Sequence, residues 1–434
     1  MIEKDNKKAL WSWAFYDFAN SAFTTLVVTF VYGTYFTTSI ASNEIKGTQL
    51  WSWAISFSAI VVALSSPILG AIADKSGSRK TIMKWSTLIC ILATSLLFFP
   101  TQGQVFFALV LFVVANIAFE VGTVFCNAYL PDIASHHRLG KVSGLAWGLG
   151  YAGGLLALIL ALLFLIQTDS PIFGFDRQMG QHIRATNLLV ALWFLVFSIP
   201  FFIVIKSPRT STKIMISCLI KDSFSSIRQT FGSVKQYKKV YHFLLSRLVY
   251  NDALITIFAF GGIYAASSIG FSFEEIMMLG IVLNVLAGIG AYVFGFLDDE
   301  KGSIIVLKWS IIALMIACIL AFLSPQLPGL LELIFGGHAI PNWFNTKSMF
   351  WMAAILIGFF AGPNQSASRT LMAKLSPKEK QNEFFGFYAF SGKATAFIGP
   401  LMFGWATTLF QSQQAGLLVV LVLFFVGYLL LKRV

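Results

Sequence analysis

Residues 70–80 read GAIADKSGSRK, with two glycines seven apart, a carboxylate at Asp74 between them and a basic pair, Arg79 and Lys80, after the second. The stretch lies between two apolar runs, Trp51 to Ala73 and Ile82 to Phe99. A bilayer core about 30 Å thick needs roughly 20 apolar residues per helical crossing. The stretch therefore reads as the turn of a helical hairpin at a membrane surface. Gly70 allows a neighbouring helix to approach closely, Gly77 permits the reversal, and Asp74 can meet the positive N-terminal end of another helix.

The rest of the chain is built to the same plan. Its 434 residues are 57% hydrophobic and 12% charged, whereas soluble domains carry about 25% charged residues. With a mean hydropathy of +0.77, most of the chain must be solvated by lipid, which excludes a disordered protein, a disulfide scaffold and a cytosolic enzyme. Cys90, Cys126, Cys218 and Cys318 are scattered without metal or redox spacing and read as small packing residues. Stretches long enough to cross a membrane run at approximately Leu10–Thr38, Trp51–Ala73, Ile82–Phe99, Val105–Tyr129, Val142–Ile166, Asn187–Ile205, Phe243–Ser267, Glu274–Leu297, Ile304–Leu323, Phe350–Ala373, Phe384–Leu409 and Ala415–Leu431. The expected fold is all-α and integral to the membrane, with twelve transmembrane helices. The first run, holding Asp17 and Asn20 and lacking a small-residue cleavage site, reads as a retained helix rather than a signal peptide.

Orientation follows from the placement of Lys and Arg. With both termini cytoplasmic, inside segments hold 24 of the 31 basic residues and outside loops hold 4. The net charge of +12 then sits on one membrane face, and nucleic-acid binding is not needed to explain it. Between the sixth and seventh stretches, residues 206–242 place Ile220, Phe224, Ile227, Phe231 and Val234 at helical spacing, with Lys221, Arg228, Lys235, Lys238 and Lys239 opposite. This predicts an amphipathic helix on the inner surface, with a solvated linker as the plainer alternative. It would join a bundle over 1–205 to one over 243–434.

The two halves repeat each other. Gly70, Asp74 and Gly77 recur as Gly295, Asp299 and Gly302, and Lys84-Trp85 as Lys308-Trp309. Tyr16-Asp17 has an echo in Tyr250-Asn251-Asp252. Offsets near half the chain length mean a six-plus-six duplication, which marks secondary transporters.

The segment Gly70–Lys80 resembles the signature of the major facilitator superfamily at every defined position. Within that superfamily, WAFYDFANSAF (Trp13–Phe23), SRLVYNDALITIFAFGGIYA (Ser246–Ala265) and EFFGFYAFSGKATAFIGPLMFG (Glu383–Gly404) resemble the vacuole-effluxer-like branch. Its eukaryotic members are autophagy-related exporters of amino acids, and it has bacterial relatives. The resemblance implies two pseudo-symmetric six-helix bundles rocking about a central site, and export of a small polar solute, with an amino acid first. It also implies that helix two faces helix eleven, so that Asp74 holds the start of helix eleven near Glu383 to Phe385 while Arg79 and Lys80 tether the turn to carboxylates and anionic lipid. In the second-half copy Ser303 and Ile304 replace the basic pair, and a weaker gate of Asp299 against the start of helix five is expected. The plainer alternative is that these charges only set topology. The relatives imply a bacterial inner membrane.

Ionisable groups within membrane helices are costly and commonly line a pathway or pair with one another. Glu120 and Lys393 fall at similar depths, and Asp17 shares a helical face with Asn20. Asn251 and Asp252 lie on helix seven, and Asn364, Gln365 and Arg369 on helix ten. The resemblance makes helices one, four, seven and ten the cavity-lining set. A zwitterion would place its ammonium on Glu120, Asp17 or Asp252 and its carboxylate on Lys393 or Arg369. Permanent pairing of Glu120 or Asp252 with Arg369 or Lys393 is the competing reading. For proton coupling Glu120 is the first choice and Asp17 the second. No cofactor, metal or nucleic acid is expected, and the partners are the solute, protons and membrane lipid, with the chain a monomer. A lipid or drug exporter of the same fold and a non-transporting solute sensor stay open. An enzyme is not expected, since no nucleophile, paired-Asp or metal constellation lies at suitable depth.

Two signals are discounted. Gly148, Gly150 and Gly153 spell GxGxxG, but inside a helix with no preceding strand, where glycines serve close packing. His136, His137, His182, His242 and His338 lie in loops or at helix ends without metal spacing. Gly399-Pro400 and Gly404 predict a flexible eleventh helix.

Overall fold

A computed structural model describes residues 3–168, 170–206, 237–326, 329 and 345–434. The amphipathic segment expected over 206–242 falls mostly outside the described residues, as do Cys218 and His338.

The described residues form twelve helices, ten of which, all but helices three and eleven, hold a span long and apolar enough to cross a membrane. Helix one runs over Lys7–Ile40, α-helical to Ala22, with π-helical stretches at Phe23–Phe30 and Phe36–Ile40. Helix two is Glu44–Ser76, helix three Arg79–Leu96, and helix four Val105–Ala128, continued by a short turn at Leu130–Ile133. Helix five is Leu139–Ala161 with a π-helical end at Leu162–Ile166, and helix six is Gln181–Val204. Helices seven to ten are Lys238–Ser267, Phe273–Lys301, Ser303–Leu323 and Thr346–Leu375. Helix eleven is in two segments, Gln381–Lys393 and Ile398–Phe410, and helix twelve is Gln413–Leu431.

Two compact units result, one built on helices one to six with Met372–Phe390, the other on helices seven to ten as far as Leu371 with Ser391–Val434. Within the first, helix one packs on helices five and six, and helix three on helices four and six. Within the second, helix seven packs on helices eleven and twelve, and helix nine on helix twelve. Three of the first unit's four pairings recur displaced by six, so the duplication read from the sequence is also one of packing.

Lipid supplies no hydrophobic drive between helices, so close van der Waals contact and hydrogen bonds hold the bundles. The glycines of helix five do this against helix one: a methyl group on Gly150 would lie 2.9 Å from Ser21 Oγ, and one on Gly153 would strike the Phe18 backbone. Aromatic rings fill the adjoining space, with Phe18 stacked on Trp193 at 5.1 Å and Tyr16 edge-on to Phe194 at 5.6 Å. Polar atoms inside the bundle are matched locally. Trp13 Nε1 donates to Cys126 O at 2.8 Å, and the Tyr16 and Thr87 hydroxyls pair at 2.7 Å.

Candidate functional site

Helix two ends where Gly77 takes a left-handed conformation (φ 64°, ψ 16°), which costs a residue with a Cβ free energy and glycine none. One turn before that end, Asp74 accepts from the backbone N–H of Asn382 at 3.1 Å, from Asn382 Nδ2 at 2.6 Å and from the backbone N–H of Glu383 at 2.8 Å. These amides belong to the first turn of helix eleven, where N–H groups have no intrahelical partner and the dipole favours an anion. The approach depends on glycine on both helices. A Cβ on Gly70 would lie 2.8 Å from Glu383 N, and one on Gly386 would lie 2.6 Å from Ser66 O. Gly70 and Asp74, four apart on one helical face, thus form a shallow seat and its hydrogen-bond acceptor.

The basic pair after the turn is occupied within the same unit. Arg79 Nη2 ion-pairs with Asp132, Nη1 donates to Ala128 O at 2.7 Å, and the guanidinium lies 3.9 Å from the centre of the Tyr129 ring. Lys80 Nζ donates to Phe202 O at 2.9 Å and also to Ile205 O. Lys80 is therefore a cap on the carbonyl end of helix six, where the expectation had been lipid or a carboxylate, because the unpaired carbonyls of that helix end lie within its reach. A hollow of about 250 Å³ beside the turn is lined by Asp74, Arg79, Tyr129, Asp132, Gln381 and Asn382 among others.

The second-half copy differs. Gly295 is buried, and Gly302 takes φ 93°, ψ 147°, which glycine alone adopts readily. The buried carboxylate here is Asp298, 1% exposed and accepting from Ser303 Oγ, while Asp299 is half-buried. An offset of 224, the one relating Lys84 to Lys308, carries Asp74 onto Asp298 and Arg79 onto Ser303. The glycines of the repeat follow an offset of 225, which carries Asp74 onto Asp299.

The ionisable and amide residues singled out within the helices divide between the two units. In the first, Asp17 and Asn20 are 8% and 6% exposed on helix one, and Cys126 Sγ lies 3.8 Å from Asp17 Oδ1. Glu120 is half-buried on helix four. In the second, Asn364 is 1% exposed and donates through Nδ2 to Ser310 Oγ at 3.2 Å, binding helix ten to helix nine. Arg369 is 1% exposed on helix ten, and Gln365 and Lys393 are half-buried.

Helix eleven, expected to be flexible but continuous over Phe384–Leu409, is broken at residues 394–397, and helix seven packs against the break. Arg247 Nη1 donates to Ser391 Oγ at 3.0 Å, Asn251 Nδ2 to Gly392 O at 3.0 Å, and Thr395 Oγ1 to Asp252 Oδ1 at 3.2 Å. Sequence reasoning named Asn251 and Asp252 but missed Thr395 and the role of Arg247. The signal for the break is Gly399-Pro400: a proline near a segment's start is tolerated, whereas in a continuous helix it removes a hydrogen bond.

Comparison with known proteins bears on this arrangement. Residues 37–434 match the family described as vacuole effluxer Atg22 like. YxiO of Bacillus subtilis (strain 168), named as an MFS-type transporter, is 26% identical over 433 residues, covering 98% of this chain and 94% of its own. Autophagy-related protein 22 of Yarrowia lipolytica is 22% identical over 432 residues, covering 82% of this chain and 70% of its own. Of the solved structures, the human organic anion transporter MFSD10 aligns with a TM-score of 0.73 at 12% identity, over 99% of this chain and 100% of that one. The proton:xylose symporter XylE aligns with 0.72 at 14% identity, over 97% and 94%. At these identities the structural likeness speaks for the fold, that of the major facilitator superfamily.

Proposed function

This chain belongs to the Atg22-like vacuole effluxer family, and from that premise we propose that it is a secondary active carrier that exports small polar solutes, amino acids first, by alternating access. The observation that carries the reading is a set of buried ionisable and amide groups in otherwise apolar membrane helices, Asp17, Asn20, Asp252, Asn364 and Arg369. Such groups are costly in lipid and are retained where they handle polar cargo or bind one another. Asn364 serves to bind helices, as its bond to Ser310 indicates. Asp17 and Glu120 are the candidates for a solute ammonium, Arg369 and Lys393 for its carboxylate.

The Asp74 turn supplies the gate. Three hydrogen bonds join the start of helix eleven to the end of helix two, and in this reading the gate opens when they break together. We place this end, with both termini, on the cytoplasmic face, because 24 basic residues flank it against 4 at the other. A proton gradient is the energy source in this reading.

The test is flux. Full-length protein in liposomes loaded with labelled amino acids should release them faster than empty liposomes and faster still under a pH gradient. Equal release from protein-containing and protein-free liposomes, across the common amino acids, would overturn the reading.

A further inference from the structure

We propose that Asp252 is the proton-carrying group of this carrier and that the break in helix eleven is the element its protonation moves. The proposal rests on the transport reading above. It deepens it by choosing one carboxyl, in place of Glu120 or Asp17, and by naming what that carboxyl controls.

Asp252 is 2% exposed in a membrane-spanning helix. Among the described residues its carboxylate receives one hydrogen bond, from the neutral Thr395 hydroxyl, and it makes no ion pair. Other charged and titratable groups lie on its own helix and on helices eight to twelve. On its own helix Arg247 donates to Ser391, and the Tyr250 hydroxyl pairs with Ser368 at 2.7 Å. On helix eight Glu275 is bonded to Lys347 and Asp298 to Ser303. Helix nine brings Lys308 and Cys318, helix ten Arg369 and Lys374, the first segment of helix eleven Lys393, and helix twelve Tyr428. None of these bonds to the Asp252 carboxylate. An ionised carboxylate placed this way lacks the cation that would offset its desolvation, and a proton removes the charge itself. Hard metal cations take about six oxygen ligands, and two of the nearby carbonyls, Gly392 O and Leu248 O, already accept from Asn251 and Thr395.

The connection to helix eleven is direct on both sides of its break. Before it, Asn251 Nδ2 satisfies the Gly392 carbonyl, one of those left over at the end of the first segment. After it, Gly399 sits so close that a Cβ there would lie 2.8 Å from Asp252 O. Within the break the Thr395 hydroxyl has one proton and two acceptors, Asp252 Oδ1 at 3.2 Å and Leu248 O at 3.4 Å. With Asp252 ionised, the charged acceptor holds that proton. When water on one side delivers a proton to the carboxylate, Leu248 O, also on helix seven, becomes the better acceptor. The tie between that helix and the break then weakens from a charge-assisted bond to a neutral one. The same proton later leaves from the same carboxyl to water on the other side, and no other covalent bond changes.

The experiment uses full-length protein in liposomes taken through a pH cycle while the infrared stretch of protonated carboxyl groups is recorded. Wild type should show a band that D252N lacks and E120Q keeps. T395V, which keeps the carboxyl and removes its donor, should shift the band, and T395S should not; this pair decides the matter if D252N does not assemble. With the common amino acids at equal concentration inside, D252N should lower net flux under a pH gradient on the order of tenfold. A band unchanged in D252N or in T395V overturns the proposal, and so does a band abolished by sodium at constant pH. Wild-type liposomes that pass no amino acid would instead count against the transport reading, and the infrared band would then decide Asp252 by itself.

Discussion

Asp74 is short, and that is why it works. From a position one turn before the end of helix two, its two oxygens reach two backbone amides and one side-chain amide of the next element to arrive, at 2.6 to 3.1 Å. Hydrogen bonds to a charged group contribute about 1.5–3 kcal/mol each. Asp74→Asn exchanges one acceptor oxygen for a donor that faces other donors, so it should destabilise this packing and open the end it holds. Cysteines placed around the start of helix eleven should then be labelled faster, with flux reduced. Gly386→Ala should act at the same place by steric means, with an overpacking cost of about 1–3 kcal/mol, visible as a lower melting temperature of the purified protein. An unchanged melting temperature for Gly386→Ala would mean that the two helices do not lie this close.

At the scale of elements, helix one is anchored where it begins. Asn6 caps it, accepting from Lys8 N at 3.0 Å, and just before the cap the Asp5 backbone N–H donates to Ile133 O at 2.8 Å. The Asp5 carboxylate accepts from Ser135 N at 3.2 Å and lies 3.6 Å from Arg138. Partial burial works against its charge, but the Ser135 bonds and Arg138 outweigh that and hold its pKa below the usual 3.8. Because the folded value is the lower one, the stabilisation is present above pH 3.8 and fades as the pH falls through the folded value. This contact is half open to water, so its contribution is below about 1 kcal/mol. Asp5→Asn should therefore speed exchange of the Ser135 amide at neutral pH by roughly fivefold or less, with the difference from wild type closing in strong acid. The helix-one and helix-five pair offers a second test of element packing: Gly153→Leu must push the Phe18 backbone away and should lower protein yield in the membrane more than any change at Gly404, which meets nothing nearby.

The molecule as a whole is a twice-used six-helix plan, and we propose that its lysines and arginines orient it. Orientation can be checked directly, because Cys90, Cys126 and Cys318 are buried and give little background; Cys218 is best replaced by Ser. In intact cells an impermeant thiol reagent should label cysteines introduced at the exposed positions Gln102 and Gln178 and leave one at Glu379 unlabelled until the cells are opened. Labelling in the reverse pattern would invert the topology and place the Asp74 end outside.

Membrane class, helix number, duplication and the family were legible in the chain before any coordinates, for one physical reason. In lipid each crossing must satisfy its own backbone, so length and hydropathy define the helices one at a time, and loop charge orients them. The glycine and carboxylate spacing of Gly70, Asp74 and Gly77 was legible too, since it is set by one helical turn and one reversal. Partners across helices were a different matter. That Lys80 caps helix six, that Asp298 and not Asp299 is the buried carboxylate of the repeat, that Asn364 is tied to Ser310, and that Thr395 comes to Asp252 through a break in helix eleven all depend on which residues distant in sequence arrive at the same place. Hydropathy carries no record of that arrival, because it scores each side chain against lipid and none against another side chain.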